Sequence, residues 1–225
     1  MTSTTYVAFR ASDRLHRLTD GFIHRMRDGA REPEPKVVEQ IMTTFIDEAL
    51  AAFFLTPASY SGLGGTQRRL VRLAADTISK ASGVVIGRSA RKMDLTQNQA
   101  AAEYMDEIRF PGPGHAWWYV GFPIDEGLAA RGRGLAERCQ DGHFEGARED
   151  LVHYLRTVTD RALEWYFNKP IELLRFGPIL RKVAAVGVDT TRKASYGVIG
   201  KVIPNLDDEQ LLQSALYYRD MQVRH

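Results

Sequence analysis

A single cysteine, Cys139, stands in the 225 residues, so no internal disulfide can form and no thiolate cage for a metal can be assembled. A strong charge of either sign is also missing. Thirty Lys and Arg face 28 Asp and Glu, a net +2, which permits an anionic partner without requiring one. Apolar runs are broken by charges well short of the ~20 residues that cross a bilayer, so no membrane span is expected. The opening residues, MTSTTYVAFRASDR, contain no apolar stretch of signal-peptide kind, and the expected location is the reducing cytoplasm. Motifs of common chemistry are missing as well: no Gly-x-Ser-x-Gly elbow, no P-loop and no paired zinc-ligand spacing. No catalytic residue, metal ligand or cofactor is assigned from the sequence, and the reading leans away from an enzyme.

What the chain does contain is itself, twice. At an offset of 113 residues, Tyr6-Val7-Ala8-Phe9 falls on Tyr119-Val120-Gly121-Phe122, Asp28-Gly29 on Asp141-Gly142, and Pro57 on Pro170. Without a gap, 29 of 112 aligned pairs are identical, where composition alone gives roughly 7. This pattern predicts tandem duplication: a helical repeat in 1–110, a Pro/Gly and aromatic joint in 111–118, and a second repeat in 119–225. The halves are expected to pack as one pseudo-two-fold unit.

Each repeat reads as an extended lead-in and four helices, which makes the expected fold class all-α. Asp28-Gly29 and Asp141-Gly142 supply the stop of the first helix, glycine being suited to the left-handed position past a helix end. The second helix is strongly amphipathic, and Pro57 and Pro170 are expected to end it. Asp94 with Gln97, and Asp207 with Gln210, have the spacing of a capping box at the start of the fourth helix.

The third helix is the most retained. Asp76, Thr77 and Lys80 recur as Asp189, Thr190 and Lys193. An exposed Asp/Lys pair four residues apart contributes only about 0.2–0.5 kcal/mol. Keeping it twice therefore suggests partial burial where the repeats meet, as an interface or ligand site. Arg68, Arg69, Arg181 and Lys182 on the same helices are candidates for binding a polyanion, although no nucleic-acid motif accompanies them. Asp47 and Phe54, repeated as Asp160 and Phe167, lie opposite the apolar stripe of the second helix and are candidate partner contacts; coverage of the phenylalanines by a neighbouring helix of the same molecule is the other reading.

His16, Asp20 and His24 share one side of the first helix. Their counterparts are Ala129, Arg133 and Glu137, and three ligands across two turns are poorly placed for one ion, so a polar solvent face is expected. Trp117 and Trp118 are expected to cover the seam between halves; a stacking platform for a base or sugar is the other reading.

The functional expectation is a non-enzymatic interaction or ligand-binding protein with its site at the interrepeat seam. Nucleic-acid or other polyanion binding, and an enzyme built on the Asp/Lys pairs, are the alternatives. The partner, a protein or an anionic ligand, is not identified by the residues, and homo-oligomers are compatible with them.

Overall fold

The computed structural model describes residues 4–225, so the first three residues of the expected first repeat lie outside it. Helix accounts for 75% of the chain, in eight helices, with a small four-stranded antiparallel sheet among the described residues. The elements run β1 (Thr5–Arg10), α1 (Asp13–Arg27), α2 (Pro35–Tyr60), α3 (Gly65–Ala90), α4 (Leu95–Glu107), β2 (Arg109–Pro111) and β3 (Trp118–Ile124). Then follow α5 (Glu126–Gln140), α6 (147–173), α7 (Pro178–Val202), α8 (Asp208–Asp220) and β4 (Gln222–Arg224).

The sheet corrects the all-α expectation. The two extended lead-ins are strands that pair with each other, in the order β2-β3-β1-β4. Alternation cannot announce β2 and β4, because each is three residues long. In the β1–β3 ladder Ala8 faces Gly121, with Thr5 opposite Ile124 and Arg10 opposite Tyr119. A side chain at Gly121 would place its Cβ 2.6 Å from the Ala8 Cβ and 2.7 Å from the Val7 carbonyl. Glycine is what lets these two strands come together there.

The helix boundaries follow local chemistry. Gly29 and Gly142 close α1 and α5 with φ of +88° and +79°. Asp94 and Asp207 each accept a bond of 2.8 Å from the backbone N–H of Gln97 and Gln210, whose side chains bond back.

The prolines do not end α2 and α6, contrary to expectation. Each helix passes through one π-helical turn, Ala51–Leu55 or Glu164–Asn168, and continues as Thr56–Tyr60 or Lys169–Leu173. The Thr56 N–H bonds the Ala51 carbonyl five residues back, and Lys169 does the same to Glu164. Since Pro57 has no N–H, the carbonyls of Ala52 and Phe53 lose their ordinary helical donors. The hydroxyls of Tyr217 and Tyr218 on α8 donate to them at 2.8 and 3.0 Å. Past Pro170, the Trp165 carbonyl accepts the hydroxyl of Tyr104 on α4. A helix can therefore run through these prolines because tyrosines from elsewhere in the chain replace the lost donors.

The continuation has a further consequence. Pro35–Tyr60 spans 26 residues and is long and apolar enough to cross a membrane by length and composition, contrary to the expectation that charges keep every apolar run too short. In this fold Val38, Ile41, Ala49 and Ala58 of that helix belong to the hydrophobic core.

The most extensive helix contact is between α3 and α7. Gly187 lies against Val85 and Ala81, whereas Ala194, further along α7, packs against the cluster containing Ala75 and Ile78. The partners recede along α3 as α7 advances, so the pair is antiparallel. Around it, Phe22, Ile23, Phe122, Leu151 and Leu211 are at most 1% exposed in one continuous core.

Candidate functional site

Two neighbouring cavities open inside this framework, with Phe45 and Tyr166 lining both. The larger, of about 140 Å³, lies where the π turns of α2 and α6 approach each other. Phe45, Ala49, Phe53 and Phe54 line it from α2; Val158, Ala162, Tyr166 and Phe167 line it from α6. These are the same four positions displaced by 113 residues. Its hydroxyls are occupied: Thr159 donates to Leu155, Thr191 to Gly187 and Ser195 to Thr191, while Ser214 bonds Ser61. Only the Tyr166 hydroxyl is buried without a partner on this wall. Burial and the neighbouring Tyr104 push its pKa far up, so it remains protonated.

The smaller cavity, of about 100 Å³, lies among α1, α2, α4, β3 and the end of α6. Its distinctive walls are His16, Arg109 and Trp118. The Arg109 side chain is only 6% exposed. Its Nε donates to Asp106 at 2.9 Å and its Nη2 to Asp20 at 3.0 Å, while Nη1 is buried with no partner among the described residues. The guanidinium lies 4.6 Å from the centre of the Trp118 ring, a cation–π arrangement. His16 stacks on the same tryptophan, ring centres 5.0 Å apart and 13° from parallel. Burial, above all, lowers the pKa of His16, whose Nδ1 also lacks a partner.

Beneath Arg109 runs an ion network. Asp106 also accepts from Arg27 at 2.7 Å, and Arg27 bonds Glu103 through two contacts of 2.9 Å. Burial alone would raise the Asp106 pKa, but the bonds from Arg27 and Arg109 outweigh it and lower the net value. Two arginines thus face three carboxylates, and the network is already one charge negative.

The corresponding positions in the second half contain no such arrangement. His16 is matched by Ala129, Thr19 by Gly132, Ile41 by Tyr154 and Arg109 by Gln222. Tyr154 is 2% exposed, and its ring lies so close to Gly132 that a Cβ there would meet Cε2 at 2.8 Å. Gln222 donates to the Tyr154 hydroxyl at 3.1 Å. A tyrosine ring therefore fills the second half where the first leaves space.

The residues singled out from the sequence lie largely elsewhere. Asp76, Lys80, Asp189 and Lys193 are exposed and line neither cavity, so retention of these pairs does not reflect burial at the seam. Asp189 and Lys193 pair at 2.7 Å with side chains 57% and 76% exposed; Asp76 and Lys80 make no ion pair among the described residues. Thr77 and Thr190 are half-buried, and Thr77 bonds back to the Leu73 carbonyl at 2.8 Å. Arg68, Arg69, Arg181 and Lys182 are exposed in the first turns of α3 and α7. Because those helices are antiparallel and about 38 Å long, the two basic pairs stand at opposite ends and form no common patch.

Asp47 and Asp160 are exposed as expected, Asp160 being bound by Arg192 at 3.0 Å and Tyr196 at 2.6 Å. Phe54 and Phe167 are half-buried cavity walls, packed within the chain itself. Each lies within a π turn, whose extra residue shifts the helical phase by about 100°. A regular helical wheel therefore assigns them to the wrong face.

Sequence reasoning missed Arg109 and Tyr166, placed His16 on a polar solvent face, and gave Trp118 mainly a covering role. The available signal was divergence rather than retention, since Ala129, Gln222, Phe53 and Thr5 occupy the matching positions. Among the described residues, no group of three or more His, Cys, Asp or Glu converges as a metal site. Cys139 is buried and its pKa raised by desolvation. Comparison with protein-family models, curated proteins and solved structures gives no match.

Proposed function

We propose that the chain is a tandem duplication folded about a pseudo-two-fold axis, and that it is a non-enzymatic binder of a small, predominantly apolar molecule at the seam between halves. The duplication is supported by element bounds that recur at 113 residues, such as Asp13–Arg27 with Glu126–Gln140 and Leu95–Glu107 with Asp208–Asp220. Reciprocity supports the axis: Ala8 pairs with its own counterpart Gly121, and Tyr104 bonds Trp165 as Tyr217 bonds Ala52. Such mutual contacts are the mark of an isologous interface.

The single observation that carries the binding reading is the 140 Å³ cavity walled by matching residues from both π turns. An apolar cavity near 150 Å³ accommodates benzene, and filling empty apolar space recovers contacts that the void forfeits. No nucleophile–base pair lines this cavity, which favours binding over catalysis.

Benzene or toluene at about ten times its Kd should raise the Tm by about 3–6 °C. Ala162→Leu, which occupies the cavity from α6, should abolish the increment while leaving the fold intact by circular dichroism. Wild-type protein whose Tm ignores both hydrocarbons would overturn the reading.

A further inference from the structure

We propose that the smaller cavity, whose counterpart at the matching positions is filled, is a recognition site for a neutral carbonyl oxygen, and that the ligand is a small ketone or ester rather than a carboxylic acid. This rests on the reading of the chain as a binder of small apolar molecules and names the polar group that such a molecule carries.

The donor is Arg109. Two of its nitrogens are held by Asp106 and Asp20, which fix the guanidinium, and the third is buried with no acceptor. An unpaired buried donor is costly, and the second half shows a solution without one. There Gln222 replaces the arginine, Tyr154 replaces Ile41, and Gly132 makes room for the ring. The first half instead keeps both the arginine and the space beside it, which is the arrangement needed by something that enters.

Charge selects the oxygen. Arg109 and Arg27 are already outnumbered by Asp20, Asp106 and Glu103. A carboxylate would add another negative charge beside that network in a confined space, against a desolvation cost of its own. A carbonyl accepts from Nη1 without changing the balance. Trp118 and His16 give the space aromatic lining for the hydrocarbon part, and burial favours the neutral form of His16. The volume of 100 Å³ suits about four heavy atoms, judged against benzene's six in 150 Å³.

Acetone, isobutane and acetate each have four heavy atoms and differ in their polar ending, and titration calorimetry with tryptophan fluorescence distinguishes them. Acetone should bind about tenfold or more tightly than isobutane, and acetate should be weakest. Arg109→Met should erase the ketone's advantage. Because that variant also loses two ion pairs, a second one copies the filled half: Thr19→Gly with Ile41→Tyr. It should abolish ketone binding while benzene still raises the Tm through the larger cavity.

Stronger binding of the carboxylate, or ketone binding unchanged in the folded double variant, would overturn the proposal. So would the absence of ketone binding in wild-type protein, with the cavity holding water only; a benzene response there would leave the seam reading standing. Loss of both responses would remove both readings.

Discussion

At the scale of single residues, His16 shows how burial converts a surface assignment into a measurable property. Desolvation, reinforced by Arg109 and Arg17, lowers its pKa below 6.5 against the opposing fields of Asp20 and Asp13. As pH falls through 6.5, the unfolded chain takes up this proton and the folded chain does not. Between 6.5 and the lower folded value the unfolded state therefore binds more protons, and stability falls with falling pH. Above about pH 7 the histidine adds no slope. His16→Phe keeps an aromatic ring against Trp118 and removes the titration. The variant's Tm should decline less than that of wild-type protein between about pH 7 and pH 5.5, with the two curves parallel at higher pH. Parallel curves throughout would show that His16 titrates normally in the fold.

At the scale of elements, the π turns account for residues that the two halves share. Proline removes a donor from each long helix, and a tyrosine from the opposite half supplies one to the Ala52 or Trp165 carbonyl. Tyr217→Phe and Tyr104→Phe should each cost about 1–3 kcal/mol in urea denaturation, the range for leaving a buried acceptor unsatisfied, without altering the m-value. Loss of less than about 0.3 kcal/mol in both would mean that water serves these carbonyls equally well.

Legibility follows from range. Asp28-Gly29 and the Asp94/Gln97 box act within one turn, and they could be read directly from neighbouring residues. The pairing of β1 with β3 joins residues more than a hundred positions apart, and three-residue strands display no period. Phe54 and Phe167 fall off the apolar stripe of a regular wheel because a π turn alters the very periodicity used to assign a face. The site was less legible still. Shared residues such as Asp76 and Lys80 drew attention to an exposed flank, whereas Arg109, His16 and Trp118, which line the smaller cavity, each occur in one half only. Retention reported the scaffold, and divergence reported the cavity.

At the scale of the whole molecule, every strand pairing joins one half to the other: β1 takes β3 and β4, and β2 takes β3. Neither half contains a sheet of its own, so each requires either the other half or a copy of itself. The proposed axis makes self-pairing specific. Residues 113–225 expressed alone would bring Gly121 against a second Gly121, which is unobstructed. Residues 1–112 would bring Ala8 against Ala8, and the present ladder indicates the difficulty: a Cβ at Gly121 would lie 2.6 Å from that of Ala8. Overpacking of this kind costs typically 1–3 kcal/mol, enough to shift a dimerisation constant by about tenfold to a hundredfold. Sedimentation should therefore show the second half dimerising more tightly than the first, and Ala8→Gly should strengthen the first half's association. A folded monomer from either half, or an Ala8→Gly fragment that associates no better than its parent, would count against an axis through the Ala8–Gly121 pair.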